Sequence, residues 1–283
     1  MKEKVETLYH YCSVEAFFSI IKNASLWLSD IEKSNDYEEC VVCRELVNKK
    51  MEEYLRIDLS ALEIWKKWYQ NGTNSHILSR TFGACFSESM DQLSQWRGYA
   101  QNGKGIAIGF DKELLAELNA INKYFIAFGK VKYNHTENYV DRIVNDNIKK
   151  LEYKSVAHVA LELSQNYELK FPFIKNPGFE EEKEWRAVVC YQIGNYNVPC
   201  SDKITFSKVK YRASEYNLIP YIEMNFEKIK QNLIKEIWLG PKSELEIRDV
   251  VSFLYYCGYY EGIEEGFNSA KPIWIRKSST SYR

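Results

Sequence analysis

The sequence predicts an α+β fold in a single domain spanning 1–283. Helix-like periodicity dominates the first half, four strand-like runs crowd between 185 and 239, and nowhere do strands and helices alternate as βαβ units. LYHYC, ending at Cys12, reads as a strand. Ser13 is placed to cap a helix that carries Phe17, Ile20 and Ile21 on one face. SLWLS is a short strand, and the loop SDIEKSNDYEE leads into a helix through Val41, Val42, Leu46 and Val47. Ser60-Ala-Leu-Glu63 has the spacing of a capping box and Asn71-Gly72 that of a helix stop, which together bound a helix. TFGACFSES is a strand of small and aromatic residues. Ser89-Met-Asp-Gln92 is a second capping box, ahead of Leu93, Trp96 and Tyr99 at helical spacing. QNGKG is a turn feeding a buried strand from Ile106 to Phe110.

Between about 111 and 178 the chain turns more helical and polar. Ile143, Ile148, Leu151, Val156 and Val159 form an amphipathic face, which predicts a helical insertion over 111–178 packed against the core. Pro172 and Pro177 end it. Strands follow at 185–193, 204–212, 221–226 and 234–239. Ser243-Glu-Leu-Glu246 starts a helix that stops at Gly258, and KPIWIRK is a last strand.

Composition bounds the function. Hydrophobic residues make up 45% and charged residues 27%, ordinary for a globular chain. The 21 Tyr and 7 Trp need partners for their OH and NH groups when buried, so many belong at a rim, groove or interface. A formal charge of −1 argues against a generally basic, phosphate-coating protein and leaves a local basic groove open. No run approaches the roughly 20 apolar residues of a membrane span, and MKEKVETLYHYC lacks a signal-peptide core. The 7 Cys are scattered, and Cys40 and Cys43 form a lone CxxC without a second pair at metal spacing. Reduced thiols, a cytoplasmic location and no metal are expected.

Several motifs fail on inspection. In GKGIAIG the glycines precede the strand, so it is no dinucleotide fingerprint. Gly240, Lys242 and Ser243 make a capped turn or an anion-accepting helix start. His76, His135 and His158 are isolated, and Ser87 lacks a GxSxG context. His10 differs, lying within a strand on the face opposite Tyr9 and Tyr11. The sharpest local signal is FEEEKEWRAVV. Strand alternation places Glu182, Glu184 and Arg186 on one face and Lys183, Trp185 and Ala187 on the other. This is either a satisfied ion cluster at a sheet edge or a site where a carboxylate stabilises a developing cation.

The ordered set LYHYCS, SNDYEE, ACFSES, LSQWRGYA, GKGIAIGF, EEEKEWRAVV, IKEIWLGP and KPIWIRK resembles a bacterial domain-of-unknown-function family. That family has the pattern YHY, NDxxE, CFS, WxxYA, GIxIGF and ExEWR. The opening LYHYC, VEAFFSIIKN, SLWLS also looks like the start of the ADP-ribosyltransferase fold, as in DarT-like DNA-modifying enzymes and RNA 2′-phosphotransferases.

This second resemblance implies a split mixed β-sheet core with N-terminal helices. It implies NAD as substrate, with His10 at its ribose, Tyr11 among the cofactor-binding residues, and Ser87, Trp96 and Tyr99 lining the pocket. It further implies Glu184 as catalytic acid, Glu182 as the upstream acid of an ExE pair, and Arg186 gripping the pyrophosphate or orienting the carboxylate. Asn35, Asp36 and Glu38 would sit on a loop covering the cleft or touching the acceptor. Tyr99 departs from the pattern, since it falls on a helix where the superfamily's Tyr ends a strand. The implied function is an NAD-dependent mono-ADP-ribosyltransferase, a toxin-like or phage-defence effector with a neutralising antitoxin partner. It would modify RNA or DNA ahead of protein. A non-catalytic nucleotide- or partner-binding module of the same fold and an NAD glycohydrolase are the alternatives.

Overall fold

The computed structural model describes residues 5–33, 37–74, 79–122, 125–133, 136–192, 200–214, 216–259 and 273–282. The fold is α+β, with ten α-helices around a mixed sheet among these residues. β1 (Thr7–Cys12) enters α1 (Val14–Asn23), where Ser13 accepts from the Ala16 N–H at 3.0 Å and buries Phe17, Ile20 and Ile21 as the periodicity requires. β2 (Ser25–Asp30) returns along the sheet. Then come α2 (Tyr37–Leu55), α3 (Leu59–Asn74) and β3 (Ser79–Ser87).

Three caps differ from the sequence reading, two of them here and the third, Ser243, before the helix that begins at Ile247. Asp58, not Ser60, caps α3 by accepting from the Ser60 and Ala61 N–H groups at 3.0 and 3.1 Å, and the helix runs through Asn71-Gly72 to Asn74. Nor does Ser89 cap α4 (Leu93–Tyr99), whose N-cap is Gln92 without a side-chain bond. The phenol of Tyr11 holds that turn instead, donating to the Ser89 carbonyl at 2.7 Å and accepting from the Gln92 N–H at 3.2 Å.

β4 (Ile106–Asp111), α5 (Lys112–Ala116), α6 (Leu118–Ile121) and β5 (Ile126–Lys130) follow. Next are β6 (Lys132–Tyr133), α7 (Thr136–Lys150), α8 (Val156–Lys170) and β7 (Ile174–Lys175). The stretch 111–178 is therefore helical only in part: β5 belongs to the main sheet, pairing with β8 (Glu184–Gln192) from Ile126↔Val189 to Lys130↔Trp185. α7 and α8 join α2 and α3 in a second core, built on Val47, Met51, Trp65, Val140, Val159 and Phe171. The strand expected over 204–212 is two strands, β9 (Thr205–Phe206) and β10 (Lys210–Ala213). β11 (Leu218–Asn225), α9 (Lys230–Leu233), β12 (Ile234–Leu239), α10 (Ile247–Tyr256) and β13 (Trp274–Lys277) complete the chain. Ser243 braces the turn before α10 by accepting from the Leu245 N–H rather than capping the helix.

The sheet runs β10-β11-β2-β3-β1-β4-β12-β13, with β8 and β5 added on β3 and β9 on β11. β3 gives one edge wholly to β8, from Ser79↔Gln192 to Ser87↔Glu184. Its other edge is shared: Phe82 and Gly83 pair with β2, and Ser87 pairs with Tyr9 of β1. Beyond Tyr9, β1 keeps to β4, from Thr7↔Asp111 to Cys12↔Ile106, so the sheet parts beside Ala84, Cys85 and Phe86. The main core lies on the face of Leu8, Phe82, Phe86, Ile108 and Ile237. α4 covers part of the opposite face, where Trp96 packs with Tyr9, Tyr11, Ala107 and Trp238.

Candidate active site

The parting of β1 from β3 opens a small cleft, with a cavity volume of about 60 Å³. His10, Tyr11, Tyr99, Glu182 and Glu184, all singled out from the sequence, line it, and Tyr9, Cys85, Phe86 and Gln95 complete the wall. His10 sits in the gap itself. Its Nδ1 lies 2.9 Å from the Cys85 carbonyl, beside the stretch of β3 that pairs with neither β1 nor β2. A carbonyl only accepts, so the proton is on Nδ1 and Nε2 is left as an acceptor. Burial lowers the imidazole's pKa below its ordinary value, outweighing the opposing effect of the Cys85 bond, and the ring is neutral at physiological pH.

The acidic segment explains itself in three dimensions. Glu180 and Glu181 are exposed, while Glu182 and Glu184 turn inward. Glu182 ends a 3₁₀ turn over Pro177–Glu182 rather than lying on the strand, and Lys183 takes a left-handed conformation at φ 45°. That reversal brings the Glu182 carboxylate back beside Glu184, the first residue of β8. It is a sparsely populated conformation for a non-glycine residue, held here by its surroundings. The Ser87 hydroxyl donates to the Glu182 carbonyl at 2.7 Å, and the Glu184 N–H donates to the Tyr133 hydroxyl at 2.7 Å.

Arg186, two residues along the same strand face, grips Glu184 with Nε at 2.7 Å from Oε1 and Nη2 at 3.0 Å from Oε2. Its Nη1 donates to the Pro172 carbonyl at 2.8 Å. Lys175, which the sequence did not mark, bridges both acids: Nζ is 2.6 Å from Glu182 Oε2 and 3.2 Å from Glu184 Oε2. The Tyr99 hydroxyl donates to Glu182 Oε1 at 3.2 Å. Two carboxylates and two cations thus form a neutral buried quartet. Burial pushes the Glu184 carboxyl up, but Arg186 beside it, then Lys175 and the Cys85 thiol, outweigh that and hold it below the usual carboxylate range. Glu184 is ionised.

Not every expected residue reaches the cleft. Ser87, Trp96 and Arg186 are each 3% exposed or less and do not line it. Ser87 braces Glu182, and Trp96 packs edge-on to Tyr11 at 4.8 Å while donating to Asp91 at 2.7 Å. Of the two roles expected for Arg186, the geometry matches orienting the carboxylate; the guanidinium does not face the cleft to grip a pyrophosphate. Asn35 and Asp36 lie outside the described residues. Glu38 is on the first turn of α2, with its side chain outside them. Cys43 is buried in the second core, and no group of three or more His, Cys, Asp or Glu among the described residues is placed to hold a metal. No helix among them is long and apolar enough to cross a membrane.

Residues 95–187 match the model of a family described as Protein of unknown function (DUF2971). The match runs from α4 into β8, taking in Tyr99, Lys175, both carboxylates and Arg186, and it supports a domain-of-unknown-function family for this part of the chain. No curated protein and no solved structure matches the chain.

Proposed function

We propose that the chain is an NAD-dependent mono-ADP-ribosyltransferase with an ADP-ribosyltransferase-like split sheet, and that NAD reacts in the cleft between β1 and β3. The observation that carries this reading is the convergence of His10 from β1, Tyr99 from α4 and the Glu182/Glu184 pair around one opening in the sheet. Tyr9, Tyr11 and Tyr99 supply aromatic walls suited to the cationic nicotinamide ring. The neutral His10 offers Nε2 to a ribose hydroxyl.

In this scheme the bond between the nicotinamide nitrogen and ribose C1′ breaks, and its electron pair leaves with nicotinamide. The ionised Glu184, held fixed by Arg186 and Lys175, stabilises the oxocarbenium charge left on the ribose. The acceptor's nucleophilic atom then bonds to C1′, and its proton passes to Glu182 at the Tyr99 rim. The DarT-like resemblance supports a cytoplasmic, toxin-like or phage-defence role, a nucleic-acid acceptor and a neutralising antitoxin partner.

The test is NAD labelled on its adenylate half, incubated with the protein and, separately, with DNA, RNA or cell extract, beside Glu184→Gln and His10→Ala. Label on a macromolecule with wild type alone upholds the transferase. Free nicotinamide without label transfer makes the protein a glycohydrolase. A second reading is favoured by the quartet itself, in which every charge already has a partner: a non-catalytic nucleotide-binding module. NAD bound but intact in every mixture would select it.

A further inference from the structure

We propose that the corner where the end of α4, the β12–β13 pair and the C-terminal tail meet is a docking surface for the backbone of a single-stranded nucleic acid. The proposal names the acceptor class for the cleft and, in that respect, rests on the transferase reading above. Arg97, Lys104, Lys242, Arg276 and Lys277 gather here. The Lys242 N–H donates to the Gly103 carbonyl at 2.9 Å, and the Ser278 N–H donates to the Leu239 carbonyl at 2.8 Å. In the parallel β12–β13 pair Trp238 faces Arg276 and Leu239 faces Lys277.

The tail is fastened over this corner by Asp91, which accepts from Ser278 Oγ at 2.6 Å and from the Ser279 N–H at 2.9 Å. The ring of Tyr282 then sits 3.9 Å from Lys242 Nζ and 6.0 Å from the Arg97 guanidinium, with Arg276 5.6 Å above Trp238.

None of these cations has a carboxylate within ion-pair distance among the described residues, as is also true of Lys22, Lys112 and Arg212 elsewhere; what distinguishes the corner is that five of them meet there, whereas Lys130, Lys203, Lys210 and Lys235 are each neutralised by a neighbour. The acids closest in the fold are engaged: Asp91 by Trp96 and the tail serines, Glu236 by Tyr9 and Trp238. In a chain of net charge −1, a concentration of unpaired positive charge at one corner is a local field for a polyanion. Trp274, exposed and on the same strand face as Arg276, adds a ring on which an unpaired base can stack. Arg97 stands on α4 two residues from both Gln95 and Tyr99, which line the cleft, so the surface and the cleft share this helix while facing different ways.

The test is fluorescence anisotropy of labelled oligo(dT) and oligo(U), each about 16 nucleotides long to exceed a one-module site, across a potassium chloride series and without NAD. Wild type should bind with a salt slope of about −2 to −3.5, from roughly 0.7 per phosphate contact over three to five contacts. The triple variant Arg97→Ala/Lys104→Ala/Lys277→Ala should lower that slope by about 2 and weaken binding at least about tenfold near 100 mM salt. A charge-matched control, Lys50→Ala/Lys203→Ala/Lys210→Ala, removes three paired lysines and should stay within about twofold of wild type. Absence of binding to both oligonucleotides, binding of heparin alone, or equal losses in the two triple variants would overturn the proposal. These binding measurements contain no NAD, so a failure of the NAD chemistry and a failure of this surface are separately visible.

Discussion

Replacing Lys175 with Met keeps most of the side-chain volume and removes one charge from the quartet. Glu182 then loses its 2.6 Å partner at Oε2 and keeps only the Tyr99 hydroxyl, while Glu184 keeps Arg186 on both oxygens. Removing one member of a buried ion pair leaves the other charge uncompensated, a cost of about 3–5 kcal/mol. The Glu182 side chain retains 12% exposure, which places the expected loss near the lower figure, about 3 kcal/mol. At roughly 2–4 °C per kcal/mol for a chain of this class, the melting temperature should fall by about 6–12 °C. Thermal and urea denaturation measure it. The double variant Lys175→Met/Glu182→Gln removes both charges and should recover more than half of the loss, because contacting residues are not additive. A loss under about 1 kcal/mol for Lys175→Met, or a double variant as unstable as the two single losses summed, would refute the argument that Lys175 binds the two acids into one unit.

Acid should destabilise the protein through Glu184. Its folded pKa is depressed, so its contribution is fully present above the unfolded value of about 4.3 and is lost as pH falls through the folded one; Glu184→Gln should flatten this limb in pH-dependent urea melts. His10 acts higher on the scale. A base whose folded pKa is lowered favours the folded state above its unfolded value of about 6.5, and stability declines as pH falls below that, so His10→Gln should remove the slope that begins below about pH 6.5. Brief alkylation followed by peptide mapping should label the exposed thiols Cys85 and Cys200 well before Cys12, whose thiol burial pushes up to about 12; early labelling of Cys12 would contradict the packing of β1 against the main core.

How much of this site is legible in the sequence depends on how local each cause is. The β1 alternation, the Ser13 cap and the inward face of α1 follow from periods of two and 3.6, which act within a few residues. Two of the three misplaced caps show the limit. Ser60 and Glu63 satisfy the capping-box spacing, but the helix starts one residue earlier, at Leu59, and Asp58 takes the cap by accepting from the Ser60 and Ala61 N–H groups; the α4 turn is held by a phenol from β1. Lys175 carries no local mark at all. It lies between Ile174 and Asn176, and only the β6–β7 pairing together with the left-handed turn at Lys183 brings it to the acids.

The gap beside Cys85 is equally invisible, because whether a strand edge is paired is decided by strands distant in sequence. The contact of Tyr99 with Glu182 is equally non-local: the end of α4 puts the Tyr99 hydroxyl 3.2 Å from Glu182, which the turn at Lys183 has lifted off the strand. A glycine at 183 should therefore tolerate this backbone, whereas a β-branched residue there should loosen the Glu182–Tyr99 contact first and the Arg186–Glu184 pair last.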